Sequence, residues 1–348
     1  MIRAVRSCSI RPQGKLFADT GGVGMPAGTR FMYEVGTVIS GNIRSKPGYV
    51  DFWISGDPGR LEPMDEYEVC GARIIIGRSP EGSMEYNMFP LEFAATDLAN
   101  GMIRDAVGEV RESLRRNGGV SAEQSIASAV QRMMQERGPG SDDPQSQEAK
   151  AAQAQIEDIV RRHSVGLGVF DILLSDPRIE DIYVDAPCDE GPVHVTIGGG
   201  KEGNVHIRCG TNIYLEKREV ANLINVLKRT SGLPYCGSNP VLETDMPSYN
   251  ARATVIGYPM SPGGDAVSIR RHSDIPWTLT RLIANGTMTR EQAGLLSFMV
   301  NNRTTMLICG ARGAGKSSLL SALMFEFAPT QRIITIEDTM ELPSGVSE

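Results

Sequence analysis

The sequence has no run of about 18 apolar residues and no N-terminal signal peptide, so it predicts neither a membrane-spanning helix nor a secreted protein. The four histidines are too dispersed to suggest a metal site. None of the six cysteines forms a C-x-x-C pair, which argues against zinc and favours a reducing cytosolic setting. Positive charge is not in excess, because the formal net charge is -7, and bulk nucleic-acid binding is therefore not expected.

Changes of pattern along the 348 residues predict four segments. Residues 1–118 predict a β-rich domain that ends in a helix, and residues 119–155 predict a second helix and a flexible linker. The linker is placed at 138–147, where the chain is polar and rich in Gly, Ser and Asp. Residues 156–273 predict an α+β module, and residues 274–348 form the last segment.

Individual elements follow from hydrophobic periodicity and from the positions of Gly and Pro. Strands are predicted at 31–35, 37–40, 50–54, 72–76, 180–185, 194–197, 251–255, 266–270, 304–309 and 332–336, and helices at 91–116, 121–137, 217–230 and 290–301.

A glycine-rich motif lies between a predicted strand and a run of apolar residues at helical spacing. It runs from Gly310 to Ser317, reads GARGAGKS and fits G-x-x-x-x-G-K-[ST]. A glycine-rich turn can match this pattern by accident, but the strand before it and the helix after it favour a loop that cradles nucleotide phosphates.

Each residue type in the motif suits phosphate binding. Gly310, Gly313 and Gly315 permit backbone angles that aim successive N–H groups at anionic oxygens, and the helix start adds a positive dipole end. Lys316 supplies a point charge for the β- and γ-phosphates, and Ser317 offers a hydroxyl to Mg²⁺. The other residues predicted to contact the nucleotide are Ala311, Arg312, Ala314 and Ser318.

Residues from about 156 to 348 resemble the type II and type IV secretion ATPases and their pilus and archaellum assembly relatives. The run IEDTMELP at 336–343 is similar to the acidic box of that family, and SIRR at 268–271 is similar to the hinge between its two halves. Arg252, in YNARA, matches an arginine that follows a dipeptide turn, and DPRIEDI at 176–182 resembles the opening of the N-terminal half. The residues in these motifs are most similar to those of the archaeal-type branch. Residues 1 to about 150 show no match.

The resemblance implies an α/β fold in which α+β N-terminal modules precede a RecA-like P-loop ATPase core. It also implies ATP and Mg²⁺, a homo-hexamer, and attachment to a membrane platform protein from the cytoplasmic side, without a direct nucleic-acid partner. By position, Lys316 and Ser317 would hold phosphate and Mg²⁺, and Glu337 would polarise the attacking water with support from Glu341. The arginines that would meet the nucleotide phosphates are Arg252, Arg270 and Arg271.

In the family, a second acidic motif, a histidine-bearing box and further arginines follow the point where this sequence stops. A core of this type needs roughly 150–200 residues, and about 70 follow Pro276. The expectation is therefore a C-terminally incomplete copy that hydrolyses ATP negligibly by itself, with a loop strand that lacks sheet neighbours. Two other functions stay open: a DNA-translocating or partition ATPase, and a non-catalytic module that binds the platform through residues 1–272.

Overall fold

A computed structural model describes residues 46–56, 60–116, 121–137, 147–198, 206–272, 276–311, 314–337 and 342. They divide into two compact units, the second of which begins at His272. The strands predicted at 31–35 and 37–40, and all but the last residue of the linker predicted at 138–147, lie outside the described residues.

Within the described residues, the first unit combines ten strands with five α-helices. The strands are β1 (Phe52–Ile54), β2 (Glu62–Val69), β3 (Ala72–Arg78), β4 (Met84–Pro90), β5 (Ile179–Val184), β6 (Pro192–Ile197), β7 (Ile207–Leu215), β8 (Val241–Met246), β9 (Ala251–Ile256) and β10 (Ala266–Arg271). The helices are α1 (Asp97–Arg116), α2 (Ala122–Arg137), α3 (Gln147–Ser164), α4 (Val169–Ser175) and α5 (Lys217–Ser231). The α/β class predicted from the sequence is confirmed.

All ten strands belong to one sheet with the order β2-β3-β4-β7-β6-β5-β10-β9-β8, and β1 also pairs with β7. Neighbouring strands are antiparallel except β4 and β7, which are parallel, with Tyr86 opposite Thr211. The Asn212 side chain extends this junction: its amide oxygen accepts from the Met88 N–H at 2.8 Å, and its amide nitrogen donates to the Met88 carbonyl at 3.0 Å. The pairing of β4 with β7 thus joins β2–β4 to β5–β10.

This sheet differs from the predicted division between residues 1–118 and 156–273, because β1–β4 and β5–β10 are continuous in it. The pairing of β4 with β7 joins residues more than a hundred positions apart, and no local pattern in either strand indicates it. The predicted linker also differs in part, since residues 147–155 belong to α3. That stretch is rich in Ala, Gln, Glu and Lys, which favour helix.

Helix α1 packs against α2 and α3. It buries Met102, Ile103, Val107 and Val110 at helical spacing, as the periodicity predicts. Its first turn carries Asp97 and its last turn carries two arginines, the arrangement that the helix macrodipole favours. None of the helices in the described residues combines the length and apolar composition needed to cross a bilayer.

The second unit contains α6 (Leu279–Ala284), α7 (Arg290–Asn301) and α8 (Lys316–Met324), which share a small apolar core. Helix α7 confirms the helix predicted at 290–301, and Thr289 and Gln292 form a capping box at its start.

The strands predicted at 304–309 and 332–336 are wrong, because these segments form no strand in the part of the chain that is described. Met306 and Ile308 pack on the core of the second unit, whereas Leu307 is 90% exposed and Ile336 is 98% exposed. Apolar runs of this kind become strands only when a neighbouring strand supplies hydrogen bonds to the backbone.

Candidate phosphate-binding site

The glycine-rich motif forms a tight turn that leads into α8. Gly315 precedes the helix with φ +79° and ψ 22°, a left-handed conformation that glycine adopts at little cost. The Ala314 N–H donates to the Ala311 carbonyl at 3.2 Å, and the Leu319 N–H donates to the Gly315 carbonyl at 2.9 Å. A methyl group on Gly310 would lie 3.3 Å from the Ala314 Cβ, so glycine at this position keeps the turn uncrowded.

Lys316 and Ser317 are the first two residues of α8. The Lys316 ammonium donates to the Ala311 carbonyl at 2.8 Å, so this side chain folds back along the turn. Ser317 is exposed and Ser318 is half-buried. The first N–H groups of a helix lack intrahelical acceptors and carry a positive partial charge, so this end of α8 and Lys316 together suit an anion. Arg312 and Gly313 lie outside the described residues.

Glu337 follows a segment, residues 332–336, that has no assigned secondary structure. Its Oε2 accepts a hydrogen bond from the Leu342 N–H at 3.0 Å, and its side chain is half-buried. That this carboxylate faces Lys316 stays a prediction, and Glu341 lies outside the described residues.

The three arginines predicted to meet phosphate belong to the first unit. Arg252 on β9 lies directly opposite Arg270 on β10, so both side chains are on the same face of the sheet. Arg252 is held by a 3.0 Å ion pair with Glu243, and Arg270 is exposed. Their role at a nucleotide stays a prediction.

Sequence patterns missed a buried polar cluster around Asp176. Its Oδ2 accepts from the hydroxyls of Tyr67 at 2.7 Å and Tyr86 at 2.8 Å, and its Oδ1 accepts from the Arg178 N–H at 2.9 Å. Burial, and then the negative charge of Asp176, raise the pKa of both tyrosines well above the ordinary value. The guanidinium of Arg271 donates to the Asp176 carbonyl, which ties one of the predicted phosphate-contacting arginines to this cluster.

The only signal for this cluster in the sequence is the DPRIEDI run, and nothing there indicates the tyrosines. Phenols on two separate strands cannot be matched to a distant carboxylate without knowledge of the sheet. His163 is buried, and its Nε2 lies 3.1 Å from the carboxylate of Glu92.

Comparison with known proteins identifies the region that contains these residues. Residues 174–346 match the family model described as type II/IV secretion system protein. This part of the chain belongs to that family. The resemblance seen in the sequence is thereby confirmed, and the family region contains Asp176, the three arginines, the glycine-rich turn and Glu337.

Relatives of this chain include an uncharacterized protein of Methanocaldococcus jannaschii, which is 30% identical over 185 residues that cover 53% of this chain and 32% of that protein. Protein VirB11 of Agrobacterium fabrum is 26% identical over 196 residues, which cover 49% of this chain and 54% of that protein. Among solved structures, the VirB11 ATPase from the Brucella suis type IV secretion system, in complex with sulphate, shares 24% identity with a TM-score of 0.28 and covers 51% of this chain and 57% of that one. The chain spans about a third to about half of the length of these relatives.

Proposed function

We propose that this chain supplies the nucleotide-binding part of an ATP-hydrolysing motor for secretion or for assembly of a pilus- or archaellum-like filament. The observation that carries the proposal is the turn from Gly310 to Gly315, which presents Lys316 and the start of α8 within a region of the type II/IV secretion family.

The residues at the turn fit a nucleoside triphosphate and Mg²⁺. The left-handed Gly315, the absence of a side chain at Gly310 and the early N–H groups of α8 suit phosphate oxygens. Lys316 can exchange the Ala311 carbonyl for phosphate, and the exposed Ser317 hydroxyl can reach a cation. When bound, Mg²⁺ supplies charge neutralisation on the β- and γ-phosphates.

Glu337 is the residue proposed to orient water, with Glu341 in support, and Arg252, Arg270 and Arg271 are proposed to stabilise phosphate charge. In this chain, Glu337 accepts from a backbone N–H and is not held on a strand within the described residues. We therefore expect ATP to bind with little turnover, since water must be oriented in line for attack.

The assembly and location follow from the same family assignment. We infer a homo-hexamer that acts in the cytoplasm at the membrane surface, where a platform protein of the secretion or filament machine receives it. The support for this is the match of residues 174–346 to a secretion family. The archaeal-type branch stays part of the proposal.

The test is binding of fluorescently labelled ATP to the 348-residue chain in the presence of Mg²⁺. Lys316→Ala should weaken binding about tenfold or more, because one charge-assisted contact to phosphate is lost. Ser317→Ala should weaken binding with Mg²⁺ and leave Mg²⁺-free binding unchanged. Lys150→Ala, at an exposed lysine on α3, is the matched control and should bind as the wild type does. Equal binding by Lys316→Ala and wild type would overturn the proposal.

A further inference from the structure

An arginine-lined cleft lies within the first unit. It encloses about 530 Å³, and its lining residues are Gly108, Arg111, Glu112, Arg115, Arg116 and Arg218. Four arginines and one glutamate give the lining a net charge of +3, whereas the whole chain carries -7. The cleft is therefore positively charged although the chain as a whole is negatively charged.

Helix α1 builds the cleft from residues that share one face. Gly108, Arg111 and Arg115 are separated by three and four positions, so they lie in line along the helix. Gly108 leaves open space in the lining, because a Cβ added there would meet no atom within 4 Å. Arg218 reaches the cleft from the first turn of α5.

Among the arginines that line the cleft, Arg111 is held by a hydrogen bond to a backbone carbonyl. It is half-buried and donates to the His163 carbonyl at 2.6 Å, which leaves other N–H groups of its guanidinium unused by this bond. Burial, and then the positive charge of Arg218, lower the pKa of Arg111, whereas the carboxylates of Asp51 and Glu219 act in the opposite direction. Arg111 and Arg218 both line the cleft, so an anion bound there can contact two guanidinium groups.

Acidic neighbours neutralise the cleft only in part. Arg116 pairs with Glu112, and Arg218 is 3.5 Å from the Asp51 carboxylate through its Nε. Arg115 is exposed and forms no ion pair or hydrogen bond with its side chain in the part of the chain that the structure describes.

We propose that this cleft binds a phosphate-bearing anion through Arg111, Arg115 and Arg218. A guanidinium presents parallel N–H donors that match two oxygens of a phosphate, and the open space at Gly108 lets the anion approach the helix. A soluble polyphosphate and the headgroup of an anionic phospholipid share this chemistry. The site goes beyond the proposed ATPase function and uses none of its residues.

The test uses the 348-residue chain with Lys316→Ala, so that phosphate binding at the glycine-rich turn is not counted. One arm titrates tripolyphosphate by calorimetry, and the other measures co-sedimentation with phosphatidylcholine vesicles with and without phosphatidylglycerol. The double variant Arg115→Gln/Arg218→Gln should bind about tenfold more weakly or worse, since two charged donors are lost. Arg229→Gln, at an exposed arginine on α5, is the matched control and should stay within about twofold.

A third variant keeps every charge in place. Gly108→Leu fills the lining with an apolar side chain and should also weaken binding, while circular dichroism and thermal unfolding show whether the fold is kept. Loss of tripolyphosphate binding in the variants supports a soluble ligand, and loss of binding to phosphatidylglycerol vesicles alone supports a lipid headgroup. Absence of binding in both arms, or binding that the double variant retains, overturns the proposal.

Discussion

The hydroxyl of Tyr67 donates a 2.7 Å hydrogen bond to the carboxylate of Asp176, although the two residues are 109 positions apart in the chain. Tyr86 donates to the same carboxylate oxygen. Asp176 thereby connects β2 and β4 with the segment between α4 and β5. The cluster joins the strands that precede the family region to the first residues within it.

Removal of the Asp176 carboxylate should destabilise the first unit strongly. We expect Asp176→Ala to lower the free energy of unfolding by about 2–4 kcal/mol, because two buried hydroxyls and the half-buried Arg178 N–H lose a charged acceptor. Urea denaturation followed by circular dichroism measures this change. The matched control is Asp158→Ala on α3, whose exposed ion pair with Arg161 should contribute less than about 1 kcal/mol. Similar losses in both variants would contradict the role assigned to the cluster.

Because of Glu92, the free energy of unfolding should change with pH in the acidic range. Its carboxylate is fully buried and accepts from the Arg162 guanidinium at 2.9 Å. Burial alone would raise the pKa of Glu92, but Arg162 and then His163 lower it from 4.5 to about 2. Since the folded pKa lies below the unfolded one, the stabilisation is present above pH 4.5 and is lost as pH falls towards 2, by about 3 kcal/mol in total.

The measurement is the free energy of unfolding in urea at several pH values from about 2.5 to about 6. Glu92→Gln should be less stable at neutral pH, because Arg162 keeps only a neutral partner, and its pH slope below 4.5 should be shallower than that of the wild type. The same slope in both proteins would show that another carboxylate controls acid unfolding.

Two glycines should respond in opposite directions to substitution by alanine. Gly168 has φ +62°, and a Cβ there would lie 1.9 Å from the Glu219 Oε1 that accepts from the Val169 N–H. Gly168→Ala should therefore lower the free energy of unfolding by about 2 kcal/mol or more. Gly101, inside α1, has open space around its Cβ position, and Gly101→Ala should raise stability by about 0.5–1 kcal/mol.

Thermal unfolding of the two variants and the wild type measures this difference. A Gly168→Ala variant as stable as the wild type would mean that the loop before α4 can adopt another conformation.

Elements with local signals were predictable from the sequence. Helix α5 ends at Gly232, which adopts φ +68° as its cap, and α7 begins at the capping box of Thr289. These signals act within a few residues, so they are visible in the sequence. Strand β2 was missed because it carries four acidic residues, and β7 was missed because Gly210 and Asn212 interrupt its apolar pattern.

The candidate site also has a part that local sequence signals predicted and a part that they did not. The motif predicted backbone angles that suit glycine and a helix that starts near Gly315, and the structure has a left-handed Gly315 followed by a helix from Lys316. It did not predict the bond from Arg271 to the Asp176 carbonyl, because that contact depends on the order of strands in the sheet. The arginine cleft was missed because α1 and α5 are distant in the chain and each has an ordinary charge pattern by itself.

The parallel pairing of β4 with β7 limits where this chain can be truncated. The stretch recognisable by homology starts at residue 174, whereas the described part of the sheet that contains its strands starts at Phe52. A fragment cut at 174 would open the edge of β7 to water and deprive Asn212 of both of its partners. The strands upstream of residue 174 therefore belong to the same sheet as strands of the family region, so the family boundary is not a boundary of the fold.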